Sequence, residues 1–227
     1  MFKKLSLLIL IAINLFAFDS KYLKGYHIDI NCDKILHKKA FDICYSCEFK
    51  TPKLVVYQVD SYLMDAKNLP RKNIRFRPDY NLPTKCRSYS KDYSKTGFDR
   101  GHLAPNAVFD YDYSIQKETF LMSNIAPQKP QLNRKLWAKI ERFTRIQARK
   151  YKKISVITGV CGSSGKIRNN VNIPEYWYKI IFLPNGKTIS FLAPNTNYGM
   201  SKAKLRDFLV DLKEIENICG VKLLKSK

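Results

Sequence analysis

The residues best suited to chemistry in this chain start at 98–106, which reads FDRGHLAPN and sets Asp99, Arg100, Gly101 and His102 in succession. Histidine is scarce: only His27, His37 and His102 occur. His37 lies in a Lys-rich stretch and His27 near the start of the chain, which leaves His102 the best placed for acid–base work. An imidazole titrates at about pH 6.5, so at neutral pH it is free to take a proton. Arg100 can fork onto a phosphate, and Gly101 lets the backbone approach a ligand or a neighbouring strand. Asp99 can pair locally and fix the loop. The same four residues also suit a buried, satisfied histidine beside a surface Asp–Arg pair, and by themselves they leave both readings open.

A second block follows at 122–141, MSNIAPQKPQLNRKLWAKIE. FDRGHLAP followed by SNIAPQ, LN, Trp137 and Glu141 resembles the DNA/RNA non-specific endonuclease family, of the ββα-metal or His-Me finger group. The resemblance joins two ordered blocks and extends more loosely over about residues 53–195. It implies phosphodiester hydrolysis, which needs a base for water, cations around the phosphoryl oxygens and support for the leaving 3′ oxygen. His102 is then the general base and Arg100 a cation of the site. Asn133 is implied as the side-chain ligand of one divalent cation, Mg2+ or Mn2+, which keeps water and substrate oxygens in its other positions; a helix N-cap is the alternative. Glu141 is implied to reach the water shell of the metal, against an i,i+4 salt bridge with Arg145. Arg145 matches a family arginine near the scissile phosphate, Arg75 matches another with Arg77 as its rival, and Asn124 matches an active-site asparagine that orients the metal ligand or a neighbouring loop, against an ordinary turn residue. Asp99 and Gly101 read as architecture and Trp137 as core beneath a helix. The resemblance also implies DNA and RNA as substrates and 5′-phosphate ends as products, and because contacts to phosphate, metal and water carry no base information, cleavage is expected to be independent of sequence. Tyr89 and Tyr93, amid lysines, could stack bases but are not counted as site residues.

The rest of the chain must position these groups. A formal charge of +22 attracts polyanions, which names a partner class but no reaction. A lysine-rich proteome would give the same surface. The opening MFKKLSLLILIAINLFAFDS has two lysines ahead of an apolar block and Ala17 after it, the layout of a leader cut near Ala17, with an uncleaved anchor as the alternative. The block is short for a membrane span. The expectation is a single nuclease domain over 18–227, secreted or periplasmic, with no stable membrane insertion after cleavage. Six cysteines in an exported chain default to disulfides, whose 15 possible pairings sequence cannot rank. The lone C-x-x-C of Cys44 and Cys47 lacks a second pair at zinc spacing.

Patterning predicts strands at 26–30, 53–64, 154–160, 176–183 and 188–193, the last two joined by the turn PNGK, and a turn-rich basic loop at 68–83. A short helix is expected within 114–122, a basic amphipathic helix over 132–150 with Asn133 at its N-terminal edge, and a helix over 201–220 ended by Gly220. Strands and helices mix without regular alternation, so the expected class is α+β: a largely antiparallel sheet with flanking helices, carrying the ββα-metal site that the resemblance implies. Two rivals use the same charge and cysteines, a cationic protein that captures DNA without cutting it and a disulfide-stapled envelope protein.

Overall fold

The structure is a computed structural model that describes residues 17–225; the leader expectation falls on residues outside it, Ala17 excepted. Twelve strands and five helices occur among the described residues. Strands β1 (Ala17–Phe18), β2 (Tyr26–Asp29), β3 (Lys34–His37), β4 (Phe41–Ser46) and β5 (Thr51–Asp60) lead into helix α1 (Ser61–Ala66). A long loop reaches β6 (Asp99–His102), the short helices α2 (Asn106–Phe109) and α3 (Tyr113–Thr119), and β7 (Ile125–Gln128). A π-helical turn, Leu132–Trp137, runs into α4 (Ala138–Tyr151). Then come β8 (Lys153–Cys161), β9 (Tyr176–Phe182), β10 (Thr188–Pro194), β11 (Leu209–Val210), α5 (Leu212–Cys219) and β12 (Lys222–Lys225).

Seven strands form one antiparallel sheet in the order β11-β10-β9-β8-β5-β4-β3, and its two faces make two cores. Side chains alternate across a strand. Val55, Tyr57 and Val59 of β5 therefore join Trp137, Ile140 and Ala148 on one face. Leu54 and Val56 join Phe18, Ile28, Ile215 and Val221 on the other, beneath α5 and the small sheet β1-β2-β12. Trp137 packs edge-on against Trp177 of β9 with ring centroids 5.3 Å apart, and losing such a fully buried ring costs about 3–5 kcal/mol. This is the mixed, largely antiparallel α+β architecture that the patterning predicts.

Boundaries differ where local chemistry overrides pattern. The strand expected over 53–64 ends at Asp60, whose carboxylate accepts from the Tyr62 N–H at 3.1 Å and caps α1. The helix expected over 201–220 is confined to α5, because Leu209 and Val210 pair with Phe191 and Ser190 at the sheet edge; Gly220 does end it, at φ +65°. Strands β3 and β4 escaped the sequence reading. Every residue of β4, FDICYS, is buried, Asp42 and Ser46 included, although Phe41, Ile43 and Tyr45 alternate with them along the strand.

All six cysteines are paired: Cys32–Cys44, Cys47–Cys86 and Cys161–Cys219. The two cysteines of the C-x-x-C thus take different partners. Cys47–Cys86 ties the long loop to the sheet, and a buried ion pair fixes its middle: Lys38 Nζ lies 2.6 Å from Asp79 Oδ2, which also accepts from Ser123 Oγ at 2.7 Å. Burial would raise Asp79, but Lys38 and Ser123 outweigh it and hold the carboxyl below its usual range.

Candidate active site

Strands β6 and β7 pair antiparallel, Asp99 with Gln128 and His102 with Ile125, and α4 follows through the π turn. Gly101 sits in the hairpin because nothing larger fits. A Cβ there would meet Gln128 at 2.5 Å and the Trp177 ring at 2.7 Å. The hairpin is thereby drawn onto the sheet, and a cavity of about 380 Å3 opens beside it, lined by Asp99, Arg100, His102, Asn133 and Glu141 among others. The two sequence blocks meet at this cavity.

His102 packs between Phe76 and Phe120, with ring centroids 5.3 and 5.2 Å away. Its Nε2 is buried without a hydrogen-bond partner, which leaves Nδ1 as the nitrogen a water molecule can meet. Desolvation, then the nearby Arg71 guanidinium, push the imidazole down to about 3, so it is neutral at physiological pH. Its acid neighbour serves Asn133 instead. Asp99 Oδ2 accepts from Asn133 Nδ2 at 2.9 Å, and both Asp99 oxygens accept from Arg134, at 2.8 and 2.6 Å. Burial raises Asp99, but Arg134 and Asn133 outweigh it and keep the carboxyl ionised. With its nitrogen committed to Asp99, Asn133 presents Oδ1, which no protein donor engages among the described residues. Asn133 lies within the π turn and its side chain caps nothing. The N-cap position of that turn is Gln131. Such turns recur at functional sites because the widened coil re-aims a side chain.

A hard cation fits this donor set. A carbonyl oxygen and a nearby carboxylate, Glu141, suit a cation that keeps most of its water, and no group of three or more His, Cys, Asp or Glu that could cage a metal occurs among the described residues. Glu141 makes no salt bridge with Arg145. Burial raises its pKa, against the opposing charges of Lys179 and Arg145. Arg100 donates from Nη2 to the Ser90 carbonyl at 2.6 Å and lies over the Phe76 and Tyr93 rings, so it is anchored at the rim.

The remaining expectations divide. Asn124 is fully buried and does not reach the cavity. Its Oδ1 accepts from Ala104 N–H, and its Nδ2 donates to the carbonyls of Ala104 and Thr119, each at 2.9 Å, so it clasps the loop that follows His102. Arg145 lies one turn beyond Glu141 and acts on its charge without lining the cavity. Neither Arg75 nor Arg77 lines it; Arg77 is held by backbone bonds to Phe120 and Met122. The loop arginine at the cavity is Arg71, stacked 5.4 Å from the Phe120 ring. Sequence reasoning also missed Asn106, the last residue of FDRGHLAPN, whose Oδ1 is buried and unpartnered at the same cavity. Tyr93 is buried and unavailable for stacking.

A model of the DNA/RNA non-specific endonuclease family matches residues 20–226. The chain belongs to that family. The mitochondrial nuclease of Saccharomyces cerevisiae is 29% identical over 83% of this chain and 65% of its own length. Nuclease C1 of Cunninghamella echinulata is 32% identical over 70% of this chain and 69% of its own, and human mitochondrial endonuclease G is 27% identical over 81% and 67%. The chain thus spans about two thirds of the length of these relatives. A chain in the crystal structure of an EndoG/EndoGI complex superposes with a TM-score of 0.78 at 24% identity, covering 85% of this chain and 86% of that one, and so shares its fold. In this DNA/RNA non-specific endonuclease family member, the two sequence blocks fall on the β6–β7 hairpin and on the π turn with α4.

Proposed function

We propose that this chain is an exported, metal-dependent endonuclease of one nuclease domain that hydrolyses phosphodiester bonds of DNA and RNA irrespective of sequence, leaving 5′-phosphates. The observation that carries this reading is that His102 of β6 and Asn133 of the π turn before α4 line one cavity, with the Asn133 amide oriented by Asp99. His102 Nδ1 takes the proton of the attacking water. Arg100 and Arg71 bring positive charge to the phosphoryl oxygens. Asn133 Oδ1 would hold the divalent cation, Mg2+ or Mn2+, with Glu141 as the carboxylate facing it across the cavity. Once bound, such a cation supplies charge to neutralise the leaving 3′ oxygen. Three disulfides with no free cysteine support an oxidising compartment, secreted or periplasmic. No helix among the described residues is long and apolar enough to cross a membrane.

Supercoiled plasmid and a structured RNA, incubated with the protein in magnesium or in EDTA, test the reading. Nicking in magnesium alone is expected, together with its loss in Asn133→Ala and partial return as metal concentration rises. Retarded but intact plasmid in both tubes would instead favour a DNA-capturing protein.

A further inference from the structure

Beneath α4 lies a charge that the reaction above does not use. Lys179 of β9 has none of its surface exposed. Its Nζ donates to Tyr57 Oη at 2.8 Å and to Thr158 Oγ1 at 2.5 Å, and it lies 5.3 Å from the centre of the Trp137 ring. No carboxylate forms a salt bridge with it among the described residues. An ammonium buried on neutral hydroxyls and rings is costly, and an apolar side chain would fill the space at lower cost. The charged or titratable groups that face it are Glu141 and Arg145 on α4 and Tyr57 on β5; β8 offers only Thr158.

Geometry connects this cation to the cavity. Trp177, Lys179 and Ile181 alternate with the residues of the other face, so all three point toward α4. Glu141 follows Trp137 by four residues, which sets it over the same ridge of the helix, one turn along. It lines the cavity and has no salt bridge of its own. Two opposite charges, each without an ion-pair partner, thus share the junction between β9 and α4.

We infer that Lys179 is a positioning residue for hydrolysis: its buried ammonium holds the Glu141 carboxylate charged and in place at the cavity wall. Electrostatics agree. Burial pushes Lys179 down to about 8 against the pull of Glu141, and the same Lys179 opposes the rise that burial imposes on Glu141. Arg145 adds to the field from the next turn of α4 but also senses Asp110, so its charge is shared.

The inference rests on the hydrolytic reading, and one set of assays separates the two. Plasmid nicking in saturating magnesium is measured for the full chain, for Lys179→Met, for Glu141→Gln and for the double variant, with circular dichroism and melting curves for each. Lys179→Gln, which keeps a donor for the two hydroxyls, repeats the test if the methionine variant does not fold. Removing the charge should lower kcat about 10- to 100-fold with KM within about twofold, the size of loss typical for groups that orient a metal shell. The double variant should be no slower than Glu141→Gln alone. Wild-type kcat in a folded Lys179 variant, or losses that multiply in the double variant, would overturn the role of Lys179 and leave the nuclease reading intact. A wild-type chain that fails to nick in magnesium or manganese sinks both.

Discussion

Asp99 and Asn133 are joined by a hydrogen bond, Oδ2 to Nδ2 at 2.9 Å, and this bond decides which end of the Asn133 amide is left for a cation. An asparagine at position 99 could meet either end. Asp99→Asn should therefore cost about 10- to 100-fold in cleavage and raise the magnesium needed for half-maximal rate, while DNA retardation in EDTA stays near wild type. Nicking rates across a magnesium titration check it; an unchanged titration would show that the amide is oriented by something else.

His102→Ala should lower nicking about 100- to 10,000-fold, with binding and circular dichroism retained. The pH dependence has a definite sign. Because burial and Arg71 depress the imidazole to about 3, it stays unprotonated as pH falls through the ordinary histidine value. The acid limb of kcat/KM should consequently lie well below about pH 6.5, and a limb centred at that value would contradict the desolvation of a ring packed between Phe76 and Phe120.

The Lys38–Asp79 pair sets a stability prediction. Asp79→Ala leaves a buried ammonium unpaired and should cost about 3–5 kcal/mol, read from denaturant unfolding. The folded pKa of Asp79 is depressed, so its contribution is present above the unfolded value of about 3.9 and is lost as pH falls through the folded value. Wild type should therefore lose stability on acidification over that window more steeply than Asp79→Ala does.

Gly101→Ala should be disruptive although it adds one methyl group. Neither Gln128 nor Trp177 can yield easily at contacts of 2.5 and 2.7 Å, because both belong to the packed hairpin and sheet. Overpacking of this kind costs about 1–3 kcal/mol, and the displaced strand carries His102. A fall in Tm accompanied by a larger fall in nicking is expected; loss of Tm with full activity would mean that the hairpin moves without shifting the imidazole.

How much of this was legible in the sequence depended on how local each signal is. The antiparallel strands β8, β9 and β10 announce themselves through runs of β-branched and aromatic residues and an Asn-Gly turn. The roles proposed for His102, Asn133 and Glu141 are what the family resemblance of two motif blocks implies, and the fold brings all three to one cavity. Arg71 was out of reach because its position depends on how a proline-rich loop is pinned by Asp79 and Cys86, residues whose partners lie more than thirty positions away in the chain. Asn124 was legible as important but not as a clasp, since its three bonds are to backbone groups. Lys179 carried no signal at all. In YWYKIIFL it reads as one polar residue of a half-exposed strand, and only the layer above it shows that it is enclosed.

The two-sided sheet has a practical bearing. The cleft opens on the side covered by α4, whereas Ala17–Phe18 and Lys222–Lys225 flank the same strand, β2, on the reverse side. A fluorescent tag or tether attached beyond Lys225 would hang behind the molecule, and long polynucleotides could still thread across the front without meeting it.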